Sequence, residues 1–436
     1  MVGSEFVVRR WAMRHMRTRG NGRLWRALPL LGTGLLLLAP APAPASPSGP
    51  VAAALPKPVA ADLAIQFEAL LGQHSVLAAD LMRSRIRGDD DFVQSANAAL
   101  GKNTAAMTTL VGQLFGKSTA TRFGPMWSEH IVALFAYAGA LAAHDDAAKE
   151  DAHDELLEYE GELAEFFAGA SHGRLSEKAA DATIAQHVGH LTMQADAYAA
   201  RDYAHADAMY RQGYQHSYDL GLALAGALLP SAADRQTLRE PLWRLRSQLG
   251  KLLAEHAALV EDLTRAAVTG GPDFAASGDM INGNTRDLAA AIDTLFGAAA
   301  ARDFQALWAD HVEQLVAYAT ATASRDQAKQ EQARAELSAI EKKTATFLAG
   351  ATGKRMGPAQ LTSALQRHDV MLLQHAEAYA NKDYATAHDL AYDTYQQMFD
   401  LAREMADAFG ATVAARLPQG GAQTGYGGMA AIVETR

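Results

Sequence analysis

Trp127 and His130, three residues apart, recur as Trp308 and His311 after 181 residues. The same offset links Lys102-Asn103 to Gly283-Asn284, Tyr137 to Tyr318, Phe166 to Phe347, His187 to His368, and Arg201-Asp202-Tyr203 to Lys382-Asp383-Tyr384. His74 and His256 stand 182 apart, which places a one-residue shift near Gly270. Self-similarity of this length predicts two tandem copies of one unit, over residues 61–230 and 231–416.

A shorter period runs inside each copy. His74, His130 and His187 are 56 and 57 residues apart; His256, His311 and His368 are 55 and 57 apart. In the first copy an aspartate follows each histidine by 15 residues, at Asp89, Asp145 and Asp202. Such a period holds two helices and a turn, since about 25 helical residues rise roughly 37 Å. The expected fold is all-α: a tandem duplication of a six-helix unit, each unit three antiparallel αα-hairpins packed as a bundle. An alanine-rich chain, 49% hydrophobic, agrees with helix rather than sheet.

Local signals place the helices. Leu63, Phe67, Leu70, His74, Leu77 and Leu81 keep 3–4 spacing from Asp62 onward. Gly88-Asp89-Asp90-Asp91 interrupts them and offers an N-cap. The next helix carries Phe92, Ala96, Leu100, Asn103, Met107, Leu110 and Leu114 and stops at Gly116. The second pair is expected from Pro125, read as a first helical residue, to Ala143, and from the turn His144-Asp145-Asp146 to Phe167. The third spans about 176–200 and 203–228 and ends at Leu229-Pro230-Ser231.

Residues 1–45 read as a secretory signal: seven arginines between Arg9 and Arg26, an apolar run from Leu28 to Leu38, and Ala43-Pro44-Ala45 as a small-x-small cleavage site. That run is too short for a membrane span, and no later segment is expected to cross a bilayer. Residues 46–60 read as a flexible lead-in, and the Gly-rich stretch 417–436 as a disordered tail. The expected location is periplasmic or extracellular. Removal of seven Arg and one Glu with residues 1–45 takes the net charge from −10 to −16. A chain so acidic is a poor partner for nucleic acid or an anionic membrane surface, though it tolerates cations. With no cysteine, disulfides, thiolate metal sites and a lipoprotein anchor are excluded.

His130 lies on the apolar side of its helix with Trp127, Leu134 and Leu141, and the other five repeated histidines are set alike. A buried imidazole needs a partner. Fourteen residues past the turn aspartate, the second helix of a pair regains the height of the histidine, both about 21–23 Å from the turn. Those residues are Asn103, Tyr159 and His216 in the first copy and Asn284, Ile340 and Gln397 in the second. A polar layer is therefore expected in each unit, with His130 opposite Tyr159 and beside His74 and His187. His190, one turn from His187, and His375, two turns from His368, also face inward.

Three imidazoles among amide and phenol neighbours suit copper, zinc or nickel. The candidate ligands, for copper or zinc, are His74, His130, His187, His216, His190 and Asn103, then His256, His311, His368, His375 and Asn284. The competing reading is structural: a recurring buried polar residue can fix register, satisfied by His–Asn and His–Tyr hydrogen bonds. Met193, Met371 and Met398 fit core better than Cu(I) ligation. Glu129, Glu255 and Asp310 project about 100° from their neighbouring histidines and are expected as rim charges. Glu150-x-x-His153 has di-iron spacing but sits in a solvated charge run without a second copy. Catalytic motifs are absent: no His-Glu-x-x-His, no strand before Gly420-Gly421 or Gly427-Gly428, and no nucleophile in a strained turn.

A histidine on a first helix, an asparagine on its partner, then Trp-x-x-His and a further histidine pair, resembles a group of uncharacterised exported bacterial all-helical repeat proteins over most of residues 62–412. That resemblance implies fold and export and supplies no activity. Tyr159 and Ile340 depart from a second polar position in its pattern. The function expected is non-enzymatic sequestration or carriage of copper or zinc by an exported bundle. The alternative is a structural or interaction module of the cell envelope whose histidines are hydrogen-bonded core residues. A third reading, haem held between helices by axial histidine, rests on the same rings.

Overall fold

A helix that is apolar all round can be stable only in an interior. The stretch from Ala61 to Ser84 approaches that kind, with apolar residues on every face. Leu63, Phe67, Leu70 and Leu77 mark one face, while Ala64, Ile65, Leu71, Val76, Ala79 and Met82 fill the others, and all are buried. The structure, a computed structural model, describes residues 60–229 and 231–416. The expected secretory signal, the lead-in up to Val59 and the Gly-rich tail lie outside the described residues.

The described residues form thirteen helices and no strand: α1 (Ala60–Arg87), α2 (Asp90–Phe115), α3 (Lys117–Ala143), α4 (Asp146–Ala170), α5 (Glu177–Ala199), α6 (Tyr203–Leu228), α7 (Ala232–Thr237), α8 (Pro241–Thr269), α9 (Phe274–Phe296), α10 (Ala298–Ser324), α11 (Gln327–Ala351), α12 (Pro358–Ala380) and α13 (Tyr384–Arg416). Asp89, Asp145 and Asp202 cap α2, α4 and α6 by accepting from the backbone N–H of Phe92, Ala148 and His205. Gly116, at φ 95°, ends α2 and starts α3.

Pro125 is not a first helical residue. It lies inside α3, which begins at Lys117. A proline there frees the carbonyl four residues earlier, at Thr121. Thr121 and Pro125 are both exposed, so that carbonyl is solvated and the helix continues. The short helix α7 was also not legible; Ser231 caps it by accepting from the Asp234 N–H.

Helix α1 packs on α2, α3, α5 and α6, while α2 to α6 each contact the next. Helix α8 packs likewise on α9, α10, α12 and α13, and α9 to α13 each contact the next. The central helices α1 and α8 touch one another, α13 reaches α2, and α9 reaches α6. By length and composition α3 could cross a bilayer, against expectation. It instead packs on α1, α2 and α4 and buries Phe123, Trp127, His130 and Leu134.

Polar contacts between the two helix sets are reciprocal. The Tyr395 hydroxyl meets the Ala69 carbonyl at 3.1 Å, and the Tyr214 hydroxyl meets the Lys251 carbonyl at 2.9 Å. The two hydroxyls lie 3.0 Å apart, and Tyr218 reaches Tyr395 at 3.1 Å. Beside them Arg83 on α1 and Arg265 on α8 meet buried acids. Arg83 pairs with Asp207 at 2.9 Å and Asp262 at 3.8 Å, and donates to Gln194 at 2.9 Å. Arg265 pairs with Asp262 at 2.9 Å and with Asp273. Burial opposes ionisation of Asp262, but Arg265 and Arg83 outweigh it and hold the carboxyl at about 2. Asp80, pushed up to about 7 by burial and by Asp262, titrates near neutrality.

Gly72 makes room for the tyrosine cluster. A Cβ there would overlap the Tyr218 ring and stand 2.7 Å from the Tyr395 hydroxyl. Gly72→Ala should lower stability by about 1–3 kcal/mol, the usual cost of overpacking. Gly161→Ala, exposed in α4 with open space around it, should be neutral or stabilising by about 0.5–1 kcal/mol. Urea melts of the two variants check this; equal midpoints would contradict the packing.

Candidate metal centre

The central helices place one histidine each inside the core, and two neighbouring helices supply the rest. His74 on α1 meets His130 on α3 and His187 on α5; His256 on α8 meets His311 on α10 and His368 on α12. In each group one nitrogen per ring lies within 4.8 Å of the other two. Points so spaced lie within 4.8/√3, about 2.8 Å, of a common centre. Metal–imidazole bonds are about 2.0–2.1 Å, so no ring would need to close by more than roughly 0.8 Å. All six side chains are buried, the most open being His311 at 5%.

In the first triad His74 Nε2 and His130 Nε2 are 3.0 Å apart, so one ring donates its N–H to the lone pair of the other. Ser217 donates to the Gly213 carbonyl at 2.9 Å, which leaves its oxygen to accept from His187 Nδ1 at 3.3 Å. His187 Nε2 then carries a lone pair with no partner. A metal-binding imidazole needs this arrangement: one nitrogen oriented by an oxygen, the other free. Tyr159 stacks on His130 at 4.7 Å between centroids, as the turn arithmetic predicts, and Trp127 packs 4.7 Å from His74.

The second triad differs. Trp308 Nε1 donates to His256 Nδ1 at 3.0 Å, which puts the His256 ring hydrogen on Nε2, where it finds no acceptor. His311 Nδ1 stands 3.5 Å from an Asp369 oxygen, and its Nε2 is unpartnered. Neither nitrogen of His368 has a partner. Burial, then a bond to Glu341, pushes the Asp369 carboxyl well above the usual range.

Burial keeps these rings neutral. It pulls His130 down to about 3, against the Trp127 carbonyl, which acts the other way. His311 falls to about 4, and His368 to about 3 with help from His311. His74, His187 and His256 are held well below the ordinary imidazole value, first by burial and then by neighbouring histidines.

The other candidates lie outside the triads. Asn103 donates to the Leu70 carbonyl at 3.0 Å and to Gln73 at 3.2 Å; Asn284 donates to the Leu252 carbonyl at 2.9 Å and to Glu255 at 2.8 Å. Both asparagines clamp the central helix of their set. His190 and His216 face each other with centroids 5.5 Å apart. His375 lies two turns along α12 from His368, where His388, Arg265 and Asp262 act on it. Glu255 is not a rim charge: it is 4% exposed and pairs with Arg211 at 2.9 Å. Glu129 and Asp310 are exposed as expected, and so are Glu150 and His153. Sequence reasoning missed Ser217, Asp369 and Glu341 as neighbours of the rings, and it paired Trp308 with His311 without foreseeing its bond to His256. Of the three missed residues only Asp369, adjacent to His368, left a trace in the sequence.

Comparison with known proteins gives no further guide: no family model matches the chain, and neither a curated protein nor a solved structure matches it.

Because His368 is neutral when folded down to about 3, the unfolded chain binds the extra proton below about 6.5. The ring's contribution is full above that pH and is lost as pH falls. Glu68, which burial pushes up to about 8, works in the opposite sense, since its folded form keeps a proton that is lost as pH rises. The clean measure is therefore a difference. The stability gap between wild type and His368→Gln should change by about 2–3 kcal/mol against the wild type from pH 7 to 4.5. A gap constant with pH in urea melts would contradict burial of the neutral ring.

Proposed function

We propose that this is an exported protein built as a tandem duplication of a six-helix unit, three antiparallel helical hairpins per unit, that binds copper or zinc at one three-histidine centre in each unit. Its action is sequestration or carriage without catalysis. The duplication is supported by the reciprocal tyrosine contacts: Tyr214 and Tyr395 are 181 residues apart, and their carbonyl partners Ala69 and Lys251 are 182 apart. Export rests on the sequence pattern of residues 1–45.

One observation carries the metal reading. Each triad gathers three buried imidazole nitrogens within 4.8 Å, and His187, His256, His311 and His368 each leave Nε2 without a partner. An unpartnered buried polar atom costs about 1–3 kcal/mol. Three buried imidazoles converging on one point, in an acidic and thiol-free chain, fit a borderline cation. The Trp308–His256 bond favours the structural alternative, because it occupies one His256 nitrogen and puts the ring hydrogen on the other.

Elemental analysis after loading with Cu(II) or Zn(II) and desalting separates them. The proposal expects two ions per chain, one in His130→Ala/His187→Ala, and none when His311→Ala/His368→Ala is added. At about a hundredfold excess over Kd, bound metal should add roughly 2.7 kcal/mol per site to stability. The structural reading expects no metal and an unchanged melt. Since His130 and His311 take protons only near 3 and 4, occupancy should hold from pH 7 to 5 and fall as pH nears 4.

A further inference from the structure

Outside the triads, His190 and His216 face each other with ring nitrogens that are incompletely used. His190 stands one turn along α5 from His187, and His216 faces it from α6 with ring centroids 5.5 Å apart. The helices are close here: a Cβ on Gly213 would stand 3.1 Å from the His190 Cβ. His216 Nε2 donates to the Thr183 carbonyl at 2.8 Å, so the neutral ring keeps its lone pair on Nδ1. His190 Nδ1 has no partner. Both rings are nearer the surface than the triad, at 7% and 9% exposure against 0% for His74 and His130.

The second helix set supplies the control. At the same offset of 181, Met371 replaces His190 and Gln397 replaces His216. Gln397 makes the equivalent bond, donating to the Ala364 carbonyl at 3.3 Å, and Ala364 answers Thr183. The structural task of His216, to hold a carbonyl of the partner helix, is thus done equally by an amide. What the two histidines add is a pair of imidazole nitrogens beside His187.

We propose that His190 and His216 form an outer loading station for the first triad, which takes a borderline cation from solvent and passes it to His187. The inference rests on the metal reading of the triads. Two imidazoles with water completing the shell hold a cation more weakly than three, so the ion can be given up inward. Transfer proceeds by exchange of ligands, His187 replacing water before His74 and His130 close around the ion. A station of this kind lowers the barrier in both directions. It changes rates and leaves the equilibrium constant of the inner site alone.

The test uses Cu(II) alone and the fluorescence of Trp127, which packs against His74 and His130 with centroids 4.7 and 4.8 Å away. In the His311→Ala/His368→Ala protein, which keeps only the first triad, His190→Met/His216→Gln copies the second helix set. Stopped-flow quenching should slow by about tenfold or more, release to a chelator should slow in parallel, and one copper per chain should still bind with Kd within about twofold. The converse variant, Met371→His/Gln397→His in His130→Ala/His187→Ala, should speed quenching of Trp308 and guards against misfolding of the first. Unchanged rates in both variants would overturn the station. A loss of affinity without a change in loading rate would also overturn it, since the pair would then belong to the inner site. A wild-type chain that binds no copper at all would instead remove the metal reading itself, and the station with it.

Discussion

The burial of α1 and α8 is the constraint on which the rest depends. A helix enclosed on every side must find a partner for each polar group it carries, and those partners fix the register of its neighbours. On α1, Gln73 accepts from Asn103 of α2, His74 meets His130 of α3, and Arg83 meets Gln194 of α5 and Asp207 of α6. Four surrounding helices are thereby keyed to one. On α8, Glu255 takes Asn284 of α9 and Arg211 of α6, while Trp308 of α10 holds His256. Apolar contacts supply most of the driving force, but they tolerate sliding; these bonds do not.

The ionic pair at the join extends the same logic. Removing two guanidiniums from water is costly, and each recovers that cost only with several acids and ring faces around it. Arg83 has Asp207, Asp262 and the faces of Tyr198 and Tyr210, both with centroids 5.0 Å away. The acids outnumber the cations, so Asp80 and Asp207 are pushed up to about 7 and about 6, burial being the main cause. Asp207 is still mostly ionised in neutral solution, as its pairing with Arg83 requires, while Asp80 titrates there.

Much of this was legible in the sequence because it is periodic or local. The turn aspartates cap within three residues, so position alone finds them. The histidine spacing returns each ring to the same height, which brings His74, His130, His187 and Tyr159 together from the sequence alone. A one-face apolar stripe could not show which helix lies at the centre; that needed the residues on the remaining faces of α1. Glu255 looked like a rim charge because its partner Arg211 is 44 residues away, and separation along the chain hides such pairs. Asn103 and Asn284 stood at the right height, but height does not fix direction, and each turns to the central helix's carbonyl instead of the rings.

The two triads share a scaffold and differ in what surrounds it, and the difference bears on charge. A dication among three neutral imidazoles in a core gains strong bonds and keeps its full charge in a medium that screens poorly. Around His130 the stacked neighbour is the phenol of Tyr159, whose own ionisation burial resists. Beside His311 stands Asp369, a carboxyl that burial keeps protonated while no cation is near. The second centre thus has a buried carboxyl beside it, where the first has the Tyr159 phenol, with His190 and His216 one turn from His187.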